Sequence, residues 1–170
     1  MGSSTAVFSG ANGFADFDAM TVSRLGSFEL ERPPKEALPL FTAPGERLWV
    51  PGWEPVILHG DGYETGTAFI TEHGEHTTYW LVIDYDVGAG HAAYARVTPG
   101  LHTGTVDVSI AENGSGGSRV TVTYQMTGLS DHGNGEVERS YNEVAYAEMM
   151  THWQSLIVEH AAAIDAHLGR

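Results

Sequence analysis

Residues 91–128 read HAAYARVTPGLHTGTVDVSIAENGSGGSRVTVTYQMTG and give the clearest indication of the fold. It contains three β-rich runs, at 91–98, 102–112 and 118–127, separated only by the turn-forming strings TPG and NGSGGS. Links this short join antiparallel neighbours, because a parallel crossover needs about a dozen residues or more. The stretch therefore predicts two consecutive hairpins.

Hydrophobic alternation predicts which side chains of these hairpins face the interior. One face of the last strand carries Val120, Val122, Tyr124 and Met126, and the opposite face carries polar residues. Pairing Ile110 with Val120 adds four inward residues of the middle strand, His102, Gly104, Val106 and Val108. A tight turn at Pro99-Gly100 would pair Val97 with His102. That turn would place His91, Ala93 and Ala95 inside, and Tyr94 and Arg96 outside.

The rest of the chain extends this pattern in both directions. Upstream lie a strand at Gly26–Glu31, two short helices at 35–42 and 45–50, and three more β-rich runs at 54–59, 66–72 and 77–85. The inward faces of the last two runs stay unassigned, because apolar residues occupy both faces of each predicted strand. Residues 1–22 show neither helical nor strand periodicity and predict a flexible arm, so 23–170 forms a single domain. The fold class is α+β.

The segment from about Asn134 to Leu168 lacks proline and predicts one long helix. A step of 100° per residue places Ala145, Met149, Trp153 and Leu156 on one side. Three polar residues, Glu138, Asn142 and His160, fall on that same side. Since buried polar groups need partners, we expect them to contact one another, the strands or a ligand.

Composition excludes several classes of function. The formal net charge of −14 disfavours nucleic acid and anionic membranes as partners. Without cysteine there are no disulfides or thiolate ligands. No apolar run is long enough to span a bilayer, no signal peptide is visible, and nothing points outside the cytoplasm. The string EHGEH at 72–76 offers possible metal ligands, but it reads as a solvated hairpin turn, so we expect no metal site and no cofactor.

Four strings carry a family resemblance: PPKEALPLFTAPGERLWVPGWEP at 33–55, LVIDYD at 81–86, RVTPGLHTGTVDVSI at 96–110 and GSRVTVTYQMTGLSDHGN at 117–134. Together with the order of elements, they resemble the SRPBCC superfamily of START-like, helix-grip folds, in its bacterial polyketide cyclase/dehydrase-like branch. The resemblance covers roughly 26–168. It implies a curved sheet of about seven strands wrapped around the C-terminal helix, with a cavity between them.

Three functions are open at this point. The first is binding of a small hydrophobic, polyketide- or lipid-like ligand. The second is a cyclase or dehydratase in which His102 and Glu138 act as an acid–base pair. The third is a protein–protein interaction module, so whether the protein is an enzyme is undecided. The expected ligand-binding residues are Val106, Val108, Val122, Tyr124, Met126, Asn142, Tyr146, Met149, Trp153 and His160.

Overall fold

A computed structural model describes residues 17–170 of the chain. Residues 1–16, most of the predicted arm, lie outside the described residues. The last two residues of that arm, Thr21 and Val22, already belong to the first strand, β1, which spans Thr21–Leu30. The strand therefore begins five residues before the predicted Gly26, and its early part pairs with the last strand of the sheet.

Seven antiparallel strands form one sheet. After β1 they are β2 (Val56–His59), β3 (Ala68–His73), β4 (His76–Asp86), β5 (His91–Thr98), β6 (His102–Glu112) and β7 (Ser118–Gly128). Their order across the sheet is β1-β7-β6-β5-β4-β3-β2. All but one of the neighbouring pairs are consecutive in the chain, as the short links predict. The exception is the pair of β1 and β7, in which the first strand lies beside the last one.

The helices cover one face of this sheet. Between β1 and β2 lie α1 (Pro34–Ala37), a 3-10 helix (Leu38–Phe41) and α2 (Ala43–Glu46). After β7 follow α3 (Asp131–Ser140), α4 (Glu143–Glu159) and α5 (Ala161–His167). The α+β architecture and the seven-stranded curved sheet around a C-terminal helix are confirmed. Within 17–170, no helix is both long and apolar enough to cross a membrane.

The prediction of one unbroken helix from Asn134 to Leu168 is wrong. The helical segment is interrupted at Tyr141 and Asn142, and again at His160. Asn142 has extended backbone angles, and its side chain accepts a hydrogen bond from the Ala145 N–H at 2.9 Å. Asparagine is a strong N-cap residue, because its short side chain satisfies a backbone donor that the helix leaves unpaired. The cap therefore starts a new helix where helical periodicity alone predicts a continuous one.

The buried face of α4 is also rotated from the predicted one. Its buried residues are Tyr146, Met150, Leu156 and Ile157, whereas Met149 and Trp153 are only partly buried. The Tyr146 hydroxyl donates to the Val122 carbonyl at 2.7 Å, which ties α4 to the centre of β7.

The β6–β7 register is confirmed, and the β5–β6 register is wrong by one residue. Ile110 pairs with Val120 and His102 with Gly128, as predicted. His102, however, pairs with Thr98 instead of Val97. The connection is a three-residue loop whose Gly100 has φ of +73°, a left-handed conformation that glycine adopts without strain. A shift of one residue reverses every side chain of a strand, so Tyr94 and Arg96 face the helices.

The same shift places His91 on the outer face of the sheet. Its two ring nitrogens lie 2.5 Å from an oxygen of Asp84 and 2.7 Å from an oxygen of Asp107. The hydrogen bonds to Asp107 and then Asp84 raise the pKa of His91 above its ordinary value of 6.5. This arrangement is a partly exposed, pH-dependent link between three strands.

We expect His91 to make the folded protein less stable at high pH. Because its pKa is raised on folding, its contribution is complete below about pH 6.5 and disappears as the pH rises through the higher folded-state pKa. The contribution should be at most about 1 kcal/mol, since both carboxylates are about half exposed. The free energy of unfolding should therefore fall more between about pH 6 and pH 9 in the parent than in His91→Gln. Equal decreases in the two proteins would contradict the assignment.

Candidate functional site

A cavity of about 240 Å³ lies between the concave face of the sheet and the segment from the 3-10 helix to Trp53. Strands β3 to β7 form its floor. The covering side comes from α2, the residues around it, and a single residue of α4, Trp153. The sequence predicts a cavity covered by the C-terminal helix. In the structure, the short helices after β1 cover most of it. The lining residues are Phe41, Thr42, Ala43, Glu46, Val50, Trp53, Phe69, Thr71, His73, Thr78, Trp80, Tyr94, Arg96, Val106, Val108, Tyr124 and Trp153.

Three aromatic rings form the wall at β3 and β4. Phe69 and Trp80 are stacked with their ring centroids 5.5 Å apart, and Trp53 meets each of them edge-on. Both indole N–H groups are satisfied, since that of Trp53 donates to Ala43 O at 2.9 Å and that of Trp80 to Thr71 Oγ1 at 2.9 Å. Packed rings with satisfied donors leave apolar faces for a ligand and hold a fixed shape.

A second aromatic group closes the opposite end. Trp153 lies with its ring centroid 5.6 Å from that of Trp49 and 6.4 Å from that of Tyr124. The Tyr94 hydroxyl donates to Phe41 O at 2.8 Å and joins β5 to the 3-10 helix. Burial is the main cause of the raised pKa of both Tyr94 and Tyr124. Both phenols are consequently neutral at physiological pH.

Two charged residues, Glu46 and Arg96, interrupt these aromatic walls. Glu46 is the last residue of α2, and its carboxyl group makes no hydrogen bond to any residue within 17–170. Burial raises the pKa of this carboxyl to about 8, against the opposing effect of the Arg96 charge. The Glu46 carboxyl is therefore largely protonated near neutral pH.

The Arg96 guanidinium stacks on the face of Trp80, with its central carbon 4.5 Å from the ring centroid. Its Nε atom is buried and has no hydrogen-bond partner among the described residues. Neither charged residue is among those predicted from the sequence to bind a ligand. The incorrect β5 register predicts Arg96 on the outer face, and the short helix at 45–50 gives no indication that Glu46 faces a cavity. A β5 register that places Tyr94 inside would also have predicted Arg96 inside, two residues later on the same strand.

Four of the predicted ligand-binding residues line the cavity: Val106, Val108, Tyr124 and Trp153. Four others belong to the surrounding packing, namely Val122, Met126, Tyr146 and Met149. His160 ends α4, where its Nδ1 lies 2.8 Å from Leu156 O, and it borders a separate surface depression near Trp53. Asn142 is exposed, and its amide nitrogen donates to the carbonyls of Glu138 and Arg139. The interrupted helix turns these two polar residues away from the cavity.

The structure does not bring the predicted acid–base pair together. Glu138 is exposed on α3, whereas His102 is buried at the start of β6 and is not part of the cavity lining. The Nδ1 atom of His102 has no partner within the described part of the chain. Burial, followed by the nearby Arg96 charge, lowers the pKa of His102, which favours a neutral imidazole. Around EHGEH and elsewhere in 17–170, no group of three or more His, Cys, Asp or Glu residues is arranged to hold a metal ion.

Sequence comparison finds no known family and no curated protein that matches the chain. Solved structures do match it. Norcoclaurine synthase from Thalictrum flavum aligns with a TM-score of 0.61 at 15% identity, covering 93% of this chain and 100% of that chain. Ara h 8.0201 aligns with a TM-score of 0.57 at 13% identity, covering 89% and 100%. A putative uncharacterized protein from Rhizobium leguminosarum aligns with a TM-score of 0.57 at 14% identity, covering 81% and 97%. Identities this low show the fold alone, which is the helix-grip fold.

Proposed function

We propose that the protein binds a small, largely apolar aromatic molecule in the cavity between the sheet and the short helices. The observation that supports this is the cavity itself, with its rigid wall of Trp53, Phe69 and Trp80. A filled interior would bury more apolar area and would be more stable, so an unfilled aromatic cavity is typical of a binding site. Its volume of about 240 Å³ lies just below the range of drug-sized sites, roughly 300–1,000 Å³, and favours a compact ligand.

Substitution of one lining residue tests this proposal against a matched control on the same strand. Val106 is buried and faces the cavity, whereas its neighbour Thr105 is exposed on the outer face. Val106→Phe should fill part of the cavity and weaken binding of a compact aromatic probe such as naphthamide at least tenfold. Thr105→Phe adds a comparable ring outside and should leave the affinity unchanged.

Binding can be followed through the quenching of tryptophan fluorescence, since three of the four tryptophans line the cavity. Native mass spectrometry of the protein purified from its own host would identify the natural ligand. An unchanged affinity in Val106→Phe, with the fold intact by circular dichroism, would place binding elsewhere.

The second candidate is an enzyme of cyclase or dehydratase type, as in the polyketide cyclase-like branch that the sequence resembles. Glu46 is the observation that favours it, because a protonated carboxyl group facing a cavity can act as a general acid near neutral pH. The acid–base role would then belong to Glu46 in place of the His102–Glu138 pair. Incubation with the ligand identified by mass spectrometry separates the two candidates, because a carrier returns it unchanged and an enzyme returns a product.

Protein–protein interaction ranks third. Its supporting observation is a group of exposed apolar side chains on β2 and β4, formed by Val56, Leu58, Tyr79, Leu81 and Ile83. Such a patch is a common feature of interaction surfaces. An interaction module would not require an open interior, however, so the cavity supports small-molecule binding first.

A further inference from the structure

Arg96 differs from the other arginines in how its charge is satisfied. Arg32, Arg119, Arg139 and Arg170 each form an ion pair with a carboxylate. Arg24 and Arg47 each donate to a backbone carbonyl. Arg96 has neither kind of partner within 17–170, although the chain has 22 acidic residues and only 8 basic ones. A partly buried cation whose buried Nε atom has no partner, in an acidic protein, needs an explanation.

The surroundings of Arg96 indicate how this charge is held. The guanidinium stacks on the Trp80 ring, which fixes its plane while leaving its N–H donors free. Glu46 lines the same cavity, yet the two side chains do not approach within ion-pair distance. The carboxyl group is mainly protonated near neutral pH, so it does not neutralise the arginine. The cavity therefore holds a guanidinium without an ion-pair partner beside an aromatic wall.

Given that the cavity binds an aromatic molecule, as proposed above, we infer that its ligand is a small aromatic acid whose carboxylate is bound by Arg96. A planar guanidinium with several N–H donors matches the two oxygens of a carboxylate in a bidentate geometry. The ring of the acid would lie against Trp53, Phe69 and Trp80. A monoanion also balances the single uncompensated charge, which a neutral ligand would leave in place.

Two probes of the same shape and different charge test this inference: naphthoate, an anion, and naphthamide, its neutral counterpart. Isothermal titration calorimetry at neutral pH should show that the parent protein binds naphthoate at least tenfold more tightly. In Arg96→Met, which keeps an apolar stem against Trp80, naphthoate should lose at least tenfold in affinity while naphthamide binds as before. Arg119→Met is the matched control, because Arg119 is exposed and paired with Glu29 on the outer face.

The outcomes distinguish this inference from the proposed function. If the parent protein binds both probes with equal affinity, the acid specificity is wrong and aromatic binding stands. If neither probe binds, the proposed function fails and the inference fails with it. The comparison in the parent protein needs no variant, so it decides the question even if Arg96→Met does not fold. Where that variant folds, an unchanged preference for naphthoate would exclude Arg96 as the anion-binding residue.

Discussion

Replacing Trp153 with alanine is expected to lower the free energy of unfolding by about 3–5 kcal/mol, as large-to-small changes at packed aromatic residues do. Its ring centroid lies 5.6 Å from that of Trp49, 6.3 Å from that of Phe41 and 6.4 Å from that of Tyr124. These contacts join α4 to the segment between β1 and β2 and to β7. Removing the ring would delete these contacts and enlarge the cavity that it lines.

Urea denaturation followed by far-ultraviolet circular dichroism measures the loss. His152→Ala is the control, because His152 is the preceding residue of α4 and its side chain is exposed. Trp153→Phe should recover part of the stability, since it restores a ring at the same position. A loss below about 1 kcal/mol in Trp153→Ala would show that the ring contributes little to packing.

The second large effect is expected at Gly133 in α3. A Cβ atom there would lie 1.7 Å from the Leu101 carbonyl oxygen, which belongs to the β5–β6 loop and itself accepts from the Leu129 N–H at 2.8 Å. The β5–β6 loop cannot move away from the added methyl group without disturbing this hydrogen bond. Gly133→Ala should therefore cost about 3 kcal/mol, at the upper end of what overpacking costs.

Gly135 provides the matched control two residues later in the same helix. A Cβ atom there meets nothing within 4 Å, so the alanine adds only helix propensity. Gly135→Ala should stabilise the protein by about 0.5–1 kcal/mol, because glycine is a poor helix former. Opposite signs for the two substitutions in the same denaturation experiment would support the close approach of α3 to the β5–β6 loop. A neutral Gly133→Ala would contradict it.

The architecture was accessible from sequence because its signals are local. The short links TPG and NGSGGS allow only hairpins, and the alternation of Val120, Val122 and Tyr124 specifies which face of β7 is buried. The same reasoning placed Val106, Val108 and Tyr124 against the cavity. Once β7 is oriented, the ladder transmits that orientation to β6, since paired residues share a face.

The site required the tertiary structure, because small local choices decide which side chains converge. One additional residue in the loop at Pro99–Leu101 turns Arg96 towards the cavity. The sequence of β5 does not distinguish the two registers, because either face of the strand could be buried. The Asn142 cap interrupts a segment whose composition favours a continuous helix, and it moves Glu138 and Asn142 to the surface.

The cavity's two charged residues are separated by 50 positions, and only the packing of α2 over the sheet brings Glu46 near Arg96. Patterns repeated over many residues were thus enough to predict the hairpin neighbours from β2 to β7 and the buried faces of β6 and β7. The positions of Glu46 and Arg96 depend on tertiary packing, because charged side chains are desolvated and brought together only when distant segments pack against one another.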